Sequence, residues 1–327
     1  MVIDGHAHII VPEIVHDNSS SESWRPKVFW QDGVQIVDYM GKQIKSAIHE
    51  FVDIDAIIQV QEKFGVERTL LAPWVSILRY QAPADEGLRT SRIQNAALAK
   101  MALSNPGRVY ALGTVPLQDP ILAAKELRTM MGEPGIWGVE IAASVDGVFL
   151  GDDRFWPFWQ AAEETGAFVF IHPSIRMINV PDDYYMWNSL GNPLETTATA
   201  AHMVMAGLME EFPRLKVMLA HGGGAVLSLR GRLRHAHTFQ SQARAKLKGS
   251  PEESLRKFYF DTVTHDRQLL AELVDFVGAD HVVLGSDYPF DMGDYGAVDL
   301  VRSLALPKGD EEKILSGNLL RLLGLDG

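Results

Sequence analysis

Met1-Val2-Ile3-Asp4-Gly5-His6-Ala7-His8 opens the chain as a short apolar run that ends in two histidines. On an extended strand, side chains at i and i+2 point to the same face. Neutral imidazole is the commonest metal ligand, so such a pair is half of a metal site. The same pattern returns further along. His172 follows Ala167-Phe168-Val169-Phe170-Ile171, His221 follows Val217-Met218-Leu219-Ala220, and Asp287 follows Val282-Val283-Leu284-Gly285-Ser286. Any one of these residues alone reads most simply as a satisfied core or surface group. As a set at strand ends, they read as a site.

Working outward, apolar or β-branched runs recur at 1–5, 68–73, 109–114, 138–142, 168–172, 217–221, 258–263 and 282–287. Segments with helical periodicity separate them, among them 91–101, 122–131, 155–165, 196–212 and 269–277. Strand-helix alternation implies parallel strands, which need crossover connections. Eight repeats predict a closed α/β (β/α)8 TIM barrel in one domain spanning 1–327, with 310–323 as the closing helix. Catalytic groups in this fold sit at the C-terminal ends of strands, where these candidates fall. Two long connections, 10–52 and 173–195, exceed what a minimal barrel needs. Their aromatic residues (Trp24, Trp30, Tyr39, Tyr184, Tyr185, Trp187) argue against disorder, and Arg176 lies among them, so both are expected to be lids or pocket walls.

Composition narrows the function classes. The chain has 327 residues, is 46% hydrophobic and 22% charged, and carries a formal charge of -12. That balance disfavours nucleic acid, whose phosphates need a basic face. With no cysteine, disulfides, thiolate catalysis and Cys-based zinc sites are excluded. No basic-then-apolar leader and no run near the ~18 apolar residues of a membrane span are visible. The expectation is a cytoplasmic protein without a membrane partner.

The chain resembles the amidohydrolase superfamily, and within it the branch of aminocarboxymuconate-semialdehyde decarboxylase. The resemblance rests on Asp4-Gly5-His6-Ala7-His8, Gly113-Thr114-Val115-Pro116, Ile171-His172-Pro173, Gly191-Asn192-Pro193-Leu194-Glu195-Thr196-Thr197, His221-Gly222-Gly223-Gly224-Ala225, Gly231-Arg232 and Gly285-Ser286-Asp287-Tyr288-Pro289-Phe290. It implies one divalent metal ion, zinc or else manganese, held by His6, His8, His172 and Asp287 with a water completing the shell. Three nitrogens, a carboxylate and an open position independently suit a catalytic zinc site. Two-metal relatives use a carboxylated lysine on strand four; this strand has none, although Glu140 stands on it. The resemblance makes His221 the general acid/base. It also makes Arg232 a guanidinium fork that grips a substrate carboxylate across a homodimer interface. The branch's other substrate arginine, on the first lid, has no match here; Lys45 is the candidate substitute. Trp74, Trp187 and His265 complete the expected pocket.

Other motifs fail on inspection. Gly222-Gly223-Gly224 lacks the spacing of a dinucleotide fingerprint, and no Gly-x-Ser-x-Gly elbow accompanies it. His49-Glu50 begins like a zincin helix, but position 53 is Asp. The expected reaction is nonoxidative decarboxylation of a carboxylated aromatic or muconate-type acid, with Asp287 assisting His221. Hydrolysis of an amide, lactone or ester, or hydration, would employ the same residues.

Overall fold

The computed structural model describes residues 1–16, 24–174 and 178–325. Eight strands run parallel in chain order: β1 Ile3–Ile9, β2 Arg68–Pro73, β3 Val109–Ala111, β4 Gly138–Ala142, β5 Phe168–His172, β6 Lys216–Leu219, β7 Tyr259–Asp261 and β8 Val282–Val283. Hydrogen bonding joins β1-β2-β3 and, separately, β4-β5-β6-β7-β8. Two short bridges close these arcs into a ring. Gly113 pairs with Val139, and Ala7 pairs with Tyr288 just beyond β8.

Alternation along the strands sorts their side chains into two layers. Ile3, Leu70, Ala72, Tyr110, Leu112, Phe168, Phe170, Met218 and Val283 pack as one cluster inside the ring. Val139, Ile141, Val169, Ile171, Val217, Leu219 and Phe260 pack with the surrounding helices in the larger outer cluster. Leu319, Leu322 and Leu323 join the inner cluster. They come from the final helix Asn318–Leu323, which ends on Gly324 in the left-handed region at φ 71°. This closing segment is not one regular helix: Lys308–Glu312 and Asn318–Leu323 flank a wider-wound turn, Lys313–Gly317.

Most expected helices form, with ends set by local chemistry. Pro120–Met130 starts on Asp119, whose carboxylate accepts from the Ile121 and Leu122 amides, a cap worth about 1 kcal/mol. Arg267–Val277 starts on Asp266 in the same way. The segment expected as one helix over 196–212 divides into Asn192–Met205 and Leu208–Glu211, because Gly207 turns left-handed at φ 72°. Helices at Ile54–Lys63, Val226–Phe239 and Ala297–Ser303 were not anticipated.

The first long connection carries a small antiparallel sheet of Lys27–Gln31, Val34–Tyr39 and Lys42–Ile44. Its return leg lies against the segment after β8, with Asp291 N donating to Ser46 O at 2.7 Å. The second connection reaches the same residue, since Tyr185 Oη donates to Asp291 Oδ1 at 3.0 Å. Both insertions therefore meet at Asp291, over one end of the barrel. Arg176 lies outside the described residues.

Candidate metal centre

The histidine pair does not terminate β1; the strand continues through it to Ile9. Register against β2 shifts between Asp4 and Ala7. Such a bulge changes which face the following residues occupy. Ile3 faces the barrel interior, and simple alternation from it would turn residues 6 and 8 outward. The shift brings His6 and His8 inward instead. The amide of His6 is satisfied by Asp4 Oδ1 at 3.0 Å. Asp4 also accepts from the Ser286 amide at 3.0 Å and from Gln61 Nε2 at 2.9 Å, and bonds the Ser286 hydroxyl. One buried carboxylate thus holds β1 and the segment preceding Asp287 in register. Burial pushes its carboxyl above the usual range despite these bonds.

His172 lies in phase with Phe168 and Phe170 and points inward by simple alternation. His221 follows the outward Leu219 by two positions, and a turn of the backbone brings it inward: His221 itself has φ 56°. Gly222 and Gly223 continue the turn at φ 59° and 75°. A Cβ on Gly223 would lie 2.7 Å from the Phe260 ring, so glycine is required there on both counts. Asp287 also has positive φ, 55°. Non-glycine residues held in this region persist where the surroundings over-determine them, and they cluster at functional sites.

These turns gather His6, His8, His172 and Asp287, all buried, with one potential ligand atom from each within 4.8 Å of the others. His6 Nε2 lies 3.1 Å from His8 Nε2. Asp287 Oδ1 is 3.2, 3.4 and 3.8 Å from the Nε2 atoms of His6, His8 and His172. His172 Nε2 and Asp287 Oδ1 have no hydrogen-bond partner. Lone pairs converging in a dry pocket without intervening donors fit a divalent cation. His221 stands beside the cluster, its Nε2 3.3 Å from Asp287 Oδ2.

Asp261 supports the site and went unnoticed in the sequence. Fully buried, it accepts His6 Nδ1 at 2.6 Å and the His221 amide at 2.9 Å through Oδ2. Its Oδ1 accepts the amides of Gly222 at 2.8 Å and Val263 at 3.1 Å. The signal was an acid at an inward position of the run 258–263.

Charge in the metal-free cluster follows from these contacts. Burial pulls His6 down, but the Asp287 charge and the hydrogen bond to Asp261 outweigh it and hold its pKa at about 10. Burial drives His172 down to about 3 and also lowers His8. Burial raises Asp287, yet the charge of His6 and the imidazoles of His172, His221 and His6 beside it carry it well below the usual carboxylate range.

His221 and Asp287 face a cavity of about 220 Å³ lined also by Asn188, Asn192, Val263, Thr264, His265 and Met292. Of the expected pocket residues, His265 is therefore at the cavity. Trp187 adjoins it through Asn188 and lies 5.0 Å from Tyr185. Trp74 is buried, with its ring 5.6 Å from Phe51, and Phe51 in turn packs 5.4 Å from Phe290. Lys45 is exposed beside Ser46 on the first insertion, and Arg232 is exposed on Val226–Phe239. Neither lines the cavity.

The family model for Amidohydrolase matches residues 3–325. The chain belongs to this amidohydrolase family. Among curated relatives of this amidohydrolase, the 2-amino-3-carboxymuconate-6-semialdehyde decarboxylase of Dictyostelium discoideum is 32% identical over 278 residues, 84% of this chain and 77% of that protein. Among solved structures, 5-carboxyvanillate decarboxylase from Sphingomonas paucimobilis superposes with a TM-score of 0.82 at 25% identity, covering 99% of this chain and 98% of that one. Dihydroxybenzoic acid decarboxylase from Polaromonas sp. JS666, with bound manganese, shares the barrel at a TM-score of 0.79 and 22% identity, covering 100% and 97%. Among the described residues, no helix is long and apolar enough to cross a membrane.

Proposed function

We propose that this amidohydrolase is a metal-dependent nonoxidative decarboxylase, a carbon-carbon lyase acting on a small carboxylated aromatic or muconate-type acid. The observation that carries the reading is the buried three-histidine, one-aspartate cluster with His221 against Asp287 at the cavity. The decarboxylase relatives supply the reaction class. The chain acts as one domain, with 10–52 and 173–195 as the walls over its mouth.

His6, His8, His172 and Asp287 would hold one divalent ion. Zinc suits the nitrogen-rich donor set, and manganese, present in the Polaromonas neighbour, is the ion to compare it with. When bound, the ion supplies Lewis acidity that draws electron density from a substrate oxygen. The bond between the carboxyl group and its carbon then breaks, CO2 leaves, and the electron pair stays on carbon. The proton that replaces CO2 comes from His221, whose Nε2 is held 3.3 Å from Asp287 Oδ2. Asp261 fixes the amide of His221 and the ring of His6. Val263 and Met292 keep the reacting carbon dry, and Asn188 and His265 contact the substrate's polar groups.

Arg232 and Lys45 are the cations assigned to the substrate's carboxylates. Arg232 is exposed on its helix, so it serves this role from a second copy of the chain in a homodimer. Mixing Arg232→Ala with His221→Asn protein tests that arrangement: restored activity in the mixed dimer supports it, and none counts against it. The reaction itself is tested by offering hydroxybenzoate-type and muconate-type acids together with lactones and amides to the metal-loaded enzyme. Release of CO2 is expected. Ring opening or amide cleavage without CO2 would instead establish the hydrolase chemistry available to the same residues.

A further inference from the structure

Two of the three clustered histidines have their second ring nitrogen fixed. His6 Nδ1 is 2.6 Å from Asp261 Oδ2, and His172 Nδ1 is 2.8 Å from the Pro173 carbonyl. His8 is the exception. Its Nδ1 is buried and has no partner. Opposite it, 3.6 Å away, stands Glu140 Oε1. Glu140 faces inward from β4, is 0% exposed, and has both carboxyl oxygens without a hydrogen bond. Buried polar atoms left unpaired are costly and rare, so an unpaired donor site beside an unpaired acceptor asks for an explanation.

We infer that Glu140 is a positioning residue for the metal centre: it accepts the Nδ1 proton of His8 and so orients that ring, with its Nε2 lone pair aimed at the metal position. This rests on the metal reading above. A ring that ligates through Nε2 must carry its proton on Nδ1. Among the described residues, Glu140 is the acceptor within reach. At 3.6 Å the contact is not yet a hydrogen bond; a side-chain shift of about 0.5 Å makes it one. An acceptor behind a ligating imidazole fixes tautomer and orientation, and its loss typically costs about 10- to 100-fold in metal affinity. The carbonyl oxygen of a carboxylic acid, a carboxylate or an amide would all serve, so the role does not depend on ionisation. Burial in any case holds the Glu140 carboxyl well above its ordinary range. The position also separates this site from a two-metal arrangement, in which the residue on β4 is itself a ligand.

Titration of Mn2+ or Zn2+ into chelator-stripped protein tests the inference, with affinity and stoichiometry as readouts and with wild type, Glu140→Gln, Glu140→Leu and His8→Ala compared. Wild type should take up one equivalent. Glu140→Gln, which keeps an acceptor oxygen, should bind close to wild type. Glu140→Leu should bind about 10- to 100-fold more weakly, while its metal-free form melts at or above the wild-type temperature because an unpaired buried carboxyl has gone. Glu140→Met replaces Glu140→Leu should the latter not fold. Wild-type affinity in the apolar variants overturns the inference, as does equal loss in Glu140→Gln and Glu140→Leu. Two equivalents in wild type falling to one in every Glu140 variant would make Glu140 a ligand instead. Wild-type affinity in His8→Ala would overturn the metal reading itself, whatever Glu140 does.

Discussion

His6 Nδ1 lies 2.6 Å from Asp261 Oδ2, and that oxygen also accepts the His221 amide at 2.9 Å. A single buried carboxylate therefore orients a proposed metal ligand and the proposed proton donor. Asp261→Asn keeps the size of the side chain but presents an amide nitrogen to part of this network. It should weaken metal binding about 10- to 100-fold, the typical effect of removing such a partner. Metal titration measures this directly. Unchanged affinity would leave Asp261 as a packing residue only.

His221→Asn should separate binding from chemistry. His221 lies outside the four-residue cluster, so the variant should retain metal at wild-type affinity. Its rate should fall by about 10²- to 10⁴-fold, the contribution typical of a positioned acid/base group. Steady-state rates alongside metal content check the pair of outcomes. Loss of metal together with activity would make His221 a ligand.

Metal uptake should depend on pH through His6. Its pKa in the metal-free protein is about 10, so at neutral pH a proton occupies the nitrogen that the ion needs. Binding must release that proton, and affinity should rise about tenfold per pH unit between pH 7 and 9. The same group affects folding stability with a definite sign. A histidine raised from its unfolded value near 6.5 stabilises the metal-free fold fully below that pH, and the contribution is lost as pH rises towards 10. Proton release measured in two buffers of different ionisation enthalpy reports the linkage. No release at pH 7.5 would contradict it.

Gly223→Ala should destabilise the chain. Its φ of 75° is strained for alanine, and the added Cβ would press on the Phe260 ring at 2.7 Å. Overpacking of this kind costs about 1–3 kcal/mol, which thermal melting detects. An unchanged melting temperature would show that the turn relaxes freely.

How far the sequence carries can be judged from particular residues. The bounds of Gly138–Ala142 and Phe168–His172 were legible because each is a short β-branched or aromatic run, opened by Gly138 in one case and followed by Pro173 in the other. The four clustered residues were legible because each closes or extends an apolar run. Asp261 was not, since it looked like one polar residue in a strand, and its importance comes from contacts 255 residues away in sequence. The shift in β1 that turns His6 and His8 inward depends on pairing with β2, which no local pattern encodes. β8 is shorter than the apolar run 282–287 suggests; beyond it, contact with β1 continues through the Gly5 amide on Leu284 O and the Ala7–Tyr288 bridge. The antiparallel sheet within 10–52 was missed because its two outer strands, Lys27–Gln31 and Lys42–Ile44, are short and largely exposed, so no buried apolar run marks them.

The central claim is that one ion held by His6, His8, His172 and Asp287 drives loss of CO2. Its most direct test is elemental analysis and CO2 release followed together as chelated protein is reloaded step by step. The account predicts that activity is absent after chelation and climbs in proportion to occupancy until one equivalent is bound, with Asp287→Ala neither loading nor turning over. Full CO2 release from protein stripped of metal would contradict it.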